Sequence, residues 1–521
     1  MTVAGGALLA VMVGLAYAAQ MSRWLRVLQR EHYDPRSMLR FLGRWSAPPL
    51  ASAKAPSKRR ERRSFTLSHV LVVALLGAIV VRANVVIVLV SVVYGLLCPF
   101  GLSIRGRTSS LRWTRRLALV AVVSFALALV VTVLGAQSRD PFLGAVVVIW
   151  AVPPVLDLAT RILAPLEERR ARRYVDQARR RLERVHPRVV AITGSYGKTS
   201  TKTYLAQILE RDGGVVASPH SYNNRAGLSR ALNENLRDDT RIFIAEMGTY
   251  GPGEIRDLTS WCTPEIAVVT AIGPVHLERM GTLDVVEEAK REITERAATV
   301  VLNVDDERLA RWPDSLRQRG LRVMTAGTSD ACDVRVAVEG RRWCLSIDGH
   351  RLVEMDAVVG VHVTNLACAM AAARALGIEP ADIAARAGSV APAASRLNVA
   401  TAASGVVVID DTFNANPASA RAALDVLTAL PLTGRRVVVT PGMVELGVEQ
   451  YRENVRLAQR VEASSAELIV VARTNARALA SGFGRPVTRF DTRPDAVRWV
   501  RSRLGPGDGV LYLNDLPDHY P

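Results

Sequence analysis

Residues 191–202 read AITGSYGKTSTK, and this stretch decides how the rest of the chain is read. It follows an apolar β-like run, Val189–Ile192, and precedes a helical pattern carried by Tyr204, Leu205, Ile208 and Leu209. A glycine turn between strand and helix directs backbone N–H groups at an anion. Lys198 can then reach the outer phosphates of a nucleotide, and Thr199 can hold Mg²⁺. The full Walker spacing requires a glycine five residues before Gly197, where Ile192 stands. The loop is therefore a shortened form, GxxGKTS. An ordinary glycine turn with a solvent-reaching lysine has the same wording, and the strand–turn–helix context favours the nucleotide site.

Working outward, 521 residues are too many for one core and imply two to four domains. The net charge of +18 is concentrated. Between Gln20 and Phe65 twelve Lys/Arg face three acids, and Glu167–Arg184 holds Arg169, Arg170, Arg172, Arg173, Arg179, Arg180 and Arg181. Basicity of this kind suggests nucleic acid first. Here the basic blocks flank apolar segments, which points to a membrane surface, and the C-terminal half carries no aromatic-basic platform for nucleic acid. The five cysteines are scattered without a CxxC pair, against a zinc ribbon or a disulfide framework.

Four apolar blocks precede the phosphate loop: Val3–Ala19, Leu67–Leu102 (interrupted near Arg82–Asn84), Leu117–Ala136 and Pro141–Leu163. A membrane span needs about 20 apolar residues. Splitting the second block at Arg82 gives five spans over residues 1–165, with every strongly basic loop on the cytoplasmic side, as the positive-inside tendency requires. Leaving it whole gives four spans and basic loops on both sides. Ala16-Tyr17-Ala18 resembles a signal-peptidase site, but no positive n-region precedes it. Asp157 is either an intramembrane carboxylate of functional importance or a partner of Arg161. A basic linker is expected over 166–187.

From Arg188 onward short β-branched runs alternate with helical patterns. Expected strands are Val189–Ile192, Ile242–Glu246, Ile266–Thr270, Thr299–Asn303, Val406–Asp410, Arg436–Thr440, Leu468–Val471 and Val510–Leu513. Expected helices are Lys202–Glu210, Leu283–Ala297, Thr364–Leu376, Ala418–Leu430 and Arg452–Ser464. This alternation implies parallel sheets covered by helices. A seam falls at Ser395–Arg396, dividing 188–394 from 395–521.

Open α/β sheets bind ligands at the carboxyl ends of their strands. Glu246 ends one strand and could hold a hard cation or simply be a turn carboxylate. His276 follows another strand, where a lone histidine is more often structural. Lys290, among Glu287, Glu288 and Glu292, reads most simply as a solvated ion-pairing lysine. Asp410 and Asp411 run into the turn formers Asn414, Asn416 and Pro417.

The order and wording of these pieces resemble the Mur ligase family, nearest its MurF type. The matching stretches are ITGSYGKTSTK (192–202), SYNNRAG (221–227), EMGTYGPGEI (246–255), GPVHLERMGTLDVVEEAKREI (273–293), LNVDD (302–306), SRL (395–397), DDTFNANPASARAALDVL (410–427) and GMVELG (442–447). With the apolar blocks read as an α-helical transmembrane N-terminal region, the resemblance implies that α/β follows: a P-loop Mur ligase central domain and a Rossmann-like C-terminal domain. It also implies roles. Gly194, Ser195, Gly197, Lys198, Thr199 and Ser200 would form the ATP loop. Thr199, Glu246 and His276 would hold Mg²⁺, together with a carbamylated Lys290. Asn365 would contact adenine, Arg396 the γ-phosphate and Asp411 the nucleotide, while Asn223 and Asn224 would line the acceptor side. The implied reaction activates a carboxylate as an acyl phosphate, which an amine then attacks.

Three departures matter. Apolar blocks and a basic linker stand where a MurF-type enzyme carries its uridine-nucleotide domain. His362 replaces the first Asn of the family's GxHNxxN pattern if Asn365 is aligned. The C-terminus, LYLNDLPDHYP (511–521), lacks the family's KGSR-like loop, and its Asp515 and Asp518 would suit an ammonium group or merely cap a tail. The expected protein is a multi-pass ligase of the cytoplasmic membrane. It would join an amino acid or dipeptide amine to an envelope-precursor carboxylate, with its catalytic domains in the cytoplasm. A poly-γ-glutamate-type ligase and a non-catalytic membrane scaffold are the alternatives.

Overall fold

The computed structural model describes residues 3–31, 33, 38, 71–72, 74–75, 84–98, 102, 111–137, 143–219, 221–340, 342–358, 360–392, 397–412 and 415–516. The chain divides into two compact units, Met1–Arg170 with Leu516–Pro521, and Ala171–Asp515.

The described part of the first unit is helical, built on long runs of Leu, Val and Ala. Its helices are Val3–Arg30, Asn84–Leu97, Arg115–Ala136, Leu143–Trp150 and the start of Val152–Val185. Trp24, Leu25, Leu28, Leu117 and Leu156 form its core. Arg23 is buried and donates to the carbonyls of Gly95 (2.9 Å) and Leu96 at the end of Asn84–Leu97, where a helix leaves carbonyls unpaired. Among the described residues one helix, Arg115–Gly135, is long and apolar enough to cross a membrane. The first apolar block is half of a longer helix that runs on to Arg30. The fourth block is two helices rather than one, parted at Ala151. Pro153 and Pro154 fall in the first turn of the second helix, where no intrahelical N–H donor is needed. The break near Arg82 lies outside the described residues.

The second unit contains two sheets. Strands β1 (Arg188–Thr193), β2 (Val215–Ala217), β3 (Ile242–Glu246), β4 (Ile266–Val269), β5 (Thr299–Asn303), β6 (Arg322–Gly327), β7 (Val334–Glu339), β8 (Arg342–Ile347) and β9 (His350–Asp356) pair in the order β2-β3-β1-β4-β5-β6-β7-β8-β9. The β7–β9 meander is antiparallel and the rest is parallel. Strands β10 (Asn398–Thr401), β11 (Val407–Asp411), β12 (Arg436–Thr440), β13 (Glu467–Val471), β14 (Thr488–Phe490) and β15 (Gly509–Leu513) pair in the order β10-β11-β15-β12-β13-β14, with only β10 antiparallel.

Every strand expected from the sequence forms, with ends displaced by at most about one residue. Alternation explains why β1 is central. Val190 and Ile192 point into one core with Tyr204, Leu205 and the alanine-rich helix Val363–Ala375. Val189 and Ala191 point into the opposite core with Leu228, Trp261 and Val286. The expected basic linker is helical. Val175 and Ala178 pack into that second core, and Arg184 meets Asp238 at 2.8 Å. The expected helix Lys202–Glu210 starts earlier, at Lys198, directly off the phosphate loop. The expected Leu283–Ala297 ends at Arg291 and tightens into a 3₁₀ turn, Glu292–Thr294. The seam residues Ser395 and Arg396 lie outside the described residues.

Candidate active site

Strand register builds the site. Pairing of β1 with β3 sets Ile192 beside Glu246, and pairing with β4 sets Thr193 beside Val269. The loop after Thr193 and the carboxylate of Glu246 thus share one sheet edge. Gly197 caps the helix Lys198–Leu209 in the left-handed region (φ 79°). A Cβ there would stand 2.2 Å from Asn365 Oδ1, so only glycine lets Asn365 close over the loop. Ser195 fastens the loop to its neighbour: its Oγ donates to Gly273 O (3.0 Å) and accepts from Gly273 N (2.8 Å). Lys198 Nζ donates back to Gly194 O at 2.7 Å.

Glu246 is the hub. It is buried, and the Thr199 hydroxyl donates to it at 3.0 Å and Asn223 Nδ2 at 3.1 Å. Lys202 Nζ ion-pairs with it at 3.0 Å while also donating to Ser218 O at 2.8 Å. Burial pushes the Glu246 carboxyl up, but the charges of Lys202 and Lys198 and the bonds from Lys202 and Asn223 outweigh it. The net shift is downward, and the group is an anion at neutral pH. Sequence reasoning gave Lys202 no role, although it stands one turn after Lys198 on the same helix face.

Lys290 overturns its simplest reading. It is 2% exposed, not solvated. Two of its acidic neighbours are committed elsewhere: Glu287 to Arg308 (2.5 Å) and Trp312 (2.8 Å), Glu292 to the backbone N–H groups of Gly253 (2.6 Å) and Arg256 (3.0 Å). Burial, with Lys198 adding repulsion, holds the Lys290 ammonium well below the usual lysine range.

His276, at φ 54°, opens the short helix Leu277–Met280, and its Nδ1 meets Glu445 Oε2 at 2.6 Å. Tyr250 packs edge-on against its ring. Glu445 belongs to the quoted GMVELG stretch, but nothing in the sequence tied it to a residue 169 positions away. Asn223 reaches the site through Glu246. Asn224 has a local task instead, its Oδ1 capping the helix Arg225–Asn235 at Gly227 N (2.9 Å).

Beside the loop lies a cleft of about 810 Å³ whose lining includes Gly197, Ser200, Asn365, Asp411 and Arg421. His362, the departure from the family pattern, lines it too, with Nδ1 3.0 Å from Thr364 Oγ1. Asp411 ends β11 and is buried. Asp515 is engaged by Arg493 at 2.9 Å rather than presented to an ammonium ligand, and Asp518 and Arg396 lie outside the described residues. Thr199, Glu246 and Asn223 form an oxygen-rich donor set suited to a hard cation bridged to phosphate.

This is the arrangement of a phosphate-loop ligase: a glycine turn, a lysine aimed along it and a buried carboxylate at the adjoining strand end. Residues 192–373 match the Mur ligase middle domain, and residues 395–513 match the Mur ligase glutamate ligase domain. The UDP-N-acetylmuramoyl-tripeptide--D-alanyl-D-alanine ligase of Mycobacterium leprae is 31% identical over 364 residues, covering 62% of this chain and 70% of that protein. The Escherichia coli protein of the same name is 30% identical over 312 residues, covering 58% of this chain and 68% of that protein. A crystal structure of MurF from Acinetobacter baumannii superposes with a TM-score of 0.58 at 25% identity, over 66% of this chain and 77% of that one. The chain belongs to the Mur ligase family and is an ATP-dependent, MurF-like ligase.

Proposed function

We propose that this ligase joins an amino acid or dipeptide amine to a carboxylate of a peptidoglycan or related envelope precursor, at the cytoplasmic face of a membrane. The observation that carries the chemistry is the Lys198–Thr199–Glu246–Lys290 constellation at one sheet edge. The family relatives, named for a muramoyl tripeptide and D-alanyl-D-alanine, support the substrate class. An acceptor carboxylate oxygen attacks the γ-phosphorus of ATP and ADP leaves. The amine then attacks the acyl carbon, phosphate leaves, and the amine gives up a proton. Lys198 neutralises charge developing on the transferring phosphoryl group. Thr199 and Glu246 would hold Mg²⁺, which would supply further neutralisation.

Lys290 is poised for carbamylation. A neutral buried amine attacks CO₂, a C–N bond forms and one proton leaves. The product is an anion beside Lys198, so a repulsion becomes an attraction. Full activity then requires dissolved CO₂, and Lys290→Ala loses about 10²-fold, in part restored by added short-chain carboxylates. A Lys290→Ala enzyme as active as the native one would remove the carbamate from the proposal.

Membrane attachment is supported by the helix Arg115–Gly135 and by Val122, Phe125, Leu129 and Val133, apolar side chains that it leaves exposed. Five spans over residues 1–165 and the charge bias of the loops complete this proposal. The test is ADP release by the purified full chain with ATP, Mg²⁺ and D-alanyl-D-alanine, comparing UDP-linked with lipid-linked muramoyl peptides. Turnover with the lipid-linked acceptor supports membrane-face action. Turnover with the UDP-linked acceptor alone rejects the lipid-linked substrate, and ADP release with neither rejects the substrate class.

A further inference from the structure

One polar group at the cleft is unused by the chemistry above. Tyr196 stands between Ser195 and Gly197 at the apex of the phosphate loop and lines the cleft. The phenol end of its ring lies against Gly273, where a Cβ would stand 2.3 Å from the phenol oxygen. The paired bonds between Ser195 and Gly273 fix both walls of that seat. The hydroxyl is buried and has no hydrogen-bond partner among the described residues. Buried hydroxyls without a partner are disfavoured and rare in native structures. Burial keeps the phenol protonated, and the charges that reach it are Glu453 and Arg421 of the C-terminal sheet's helices and Asp306 beside β5. A protonated, unpartnered phenol on a phosphate loop, in a residue that lines a cleft of about 810 Å³, is a hydrogen-bond donor for a ligand oxygen.

We propose that the Tyr196 hydroxyl donates a hydrogen bond to an oxygen of the bound nucleotide, making it a nucleotide-positioning residue of this chain. The assignment rests on the cleft being the ATP site. It accounts for three observations together: the unpaired hydroxyl, the glycine demanded at 273 and the two bonds that hold the ring's platform.

Binding of ATP, ADP and AMP to the full chain, native and Tyr196→Phe, tests it. The phenylalanine keeps the ring on Gly273 and removes only the hydroxyl. The expected result is about 5–30-fold weaker ATP binding, with KM for acceptor and amine unchanged. The nucleotide-free variant should melt no lower than the native protein, since it loses an unpaired buried group. Weakening shared by ATP and ADP puts the bond on the ribose or inner phosphates, and weakening of ATP alone puts it on the γ-phosphate. ATP affinity within twofold of native in Tyr196→Phe overturns the proposal. Lys198→Ala separates the two claims. If the native chain binds ATP and Lys198→Ala does not, the cleft remains the nucleotide site whatever Tyr196→Phe does. If the native chain itself binds no ATP, the site assignment fails first.

Discussion

The carboxyl edges of the two sheets in the second unit solve different problems. The edge of the β1–β9 sheet gathers charge: Lys198 and Lys202 act on a single buried carboxylate, Glu246, and the buried Lys290 feels the charge of Lys198. The edge of the β10–β15 sheet gathers amides. Asn454 Nδ2 and Asn475 Nδ2 donate to Met443 O at 2.9 and 3.0 Å. Asn514 Nδ2 donates to Gly442 O at 2.7 Å, and its Oδ1 accepts from Ala415 N at 3.2 Å. These neutral bonds shape loops and deliver Asp411 and Glu445 to the site. One edge is built for electrostatic work on a phosphoryl group, the other for holding geometry. Substitutions on the first should therefore change chemistry more than stability, and on the second the reverse.

The strongest test is Lys198→Ala. It removes the cation aimed along the phosphate loop while leaving the cores intact, so kcat/KM for ATP should fall about 10³-fold with little change in Tm. A tenfold loss or less would mean that the charged edge does not carry the chemistry. Lys202→Met probes the same edge where the comparison is weakest, because Lys202 is both charged and buried. Breaking its pair with Glu246 should destabilise the fold by about 3 kcal/mol. The pH dependence has a definite sign. The folded Glu246 pKa is lowered, so its contribution is complete above the unfolded carboxylate range and is lost as pH falls through the folded value. Removing the Lys202 charge leaves burial's upward push less opposed, so this acid-side loss should shrink in Lys202→Met. Denaturant melts between about pH 3 and 7 would measure both effects.

What the sequence disclosed divides along similar lines. The parallel strands and the phosphate loop were legible because their signals are local: β-branched runs, a glycine turn, a lysine at fixed spacing. The antiparallel β7–β9 meander was not, since its strands alternate with polar residues at a sheet edge and carry no long apolar run. The burial of Lys290 was hidden by the glutamates around it, whose partners Arg308, Trp312 and Gly253 come from other parts of the chain. Lys202 stands four residues after Lys198, within reach of the i, i+4 rule. The amide network could not be seen at all, because Asn514, Gly442 and Ala415 meet only through sheet order.

Asn514→Ala tests the second edge. It leaves the Gly442 carbonyl and the Ala415 N–H unpaired in a buried setting, which should destabilise the unit by about 1–3 kcal/mol. The rate should fall only about tenfold, through displaced loops carrying Asp411 and Glu445. A large rate loss at unchanged Tm would move Asn514 from geometry to chemistry and blur the contrast.

Glu445→Gln should have the smallest effect and is the most discriminating. Glu445 lies on the amide-built edge, yet its carboxylate meets His276, a residue of the charged one, at 2.6 Å. Glutamine can keep a hydrogen bond to Nδ1 but not the negative charge. If the second edge supplies only geometry, kcat should change by less than about fivefold. If the charge itself matters, kcat should fall by more than about tenfold although the hydrogen bond is kept. That larger loss at unchanged Tm would show that the two edges act as one electrostatic unit through this pair.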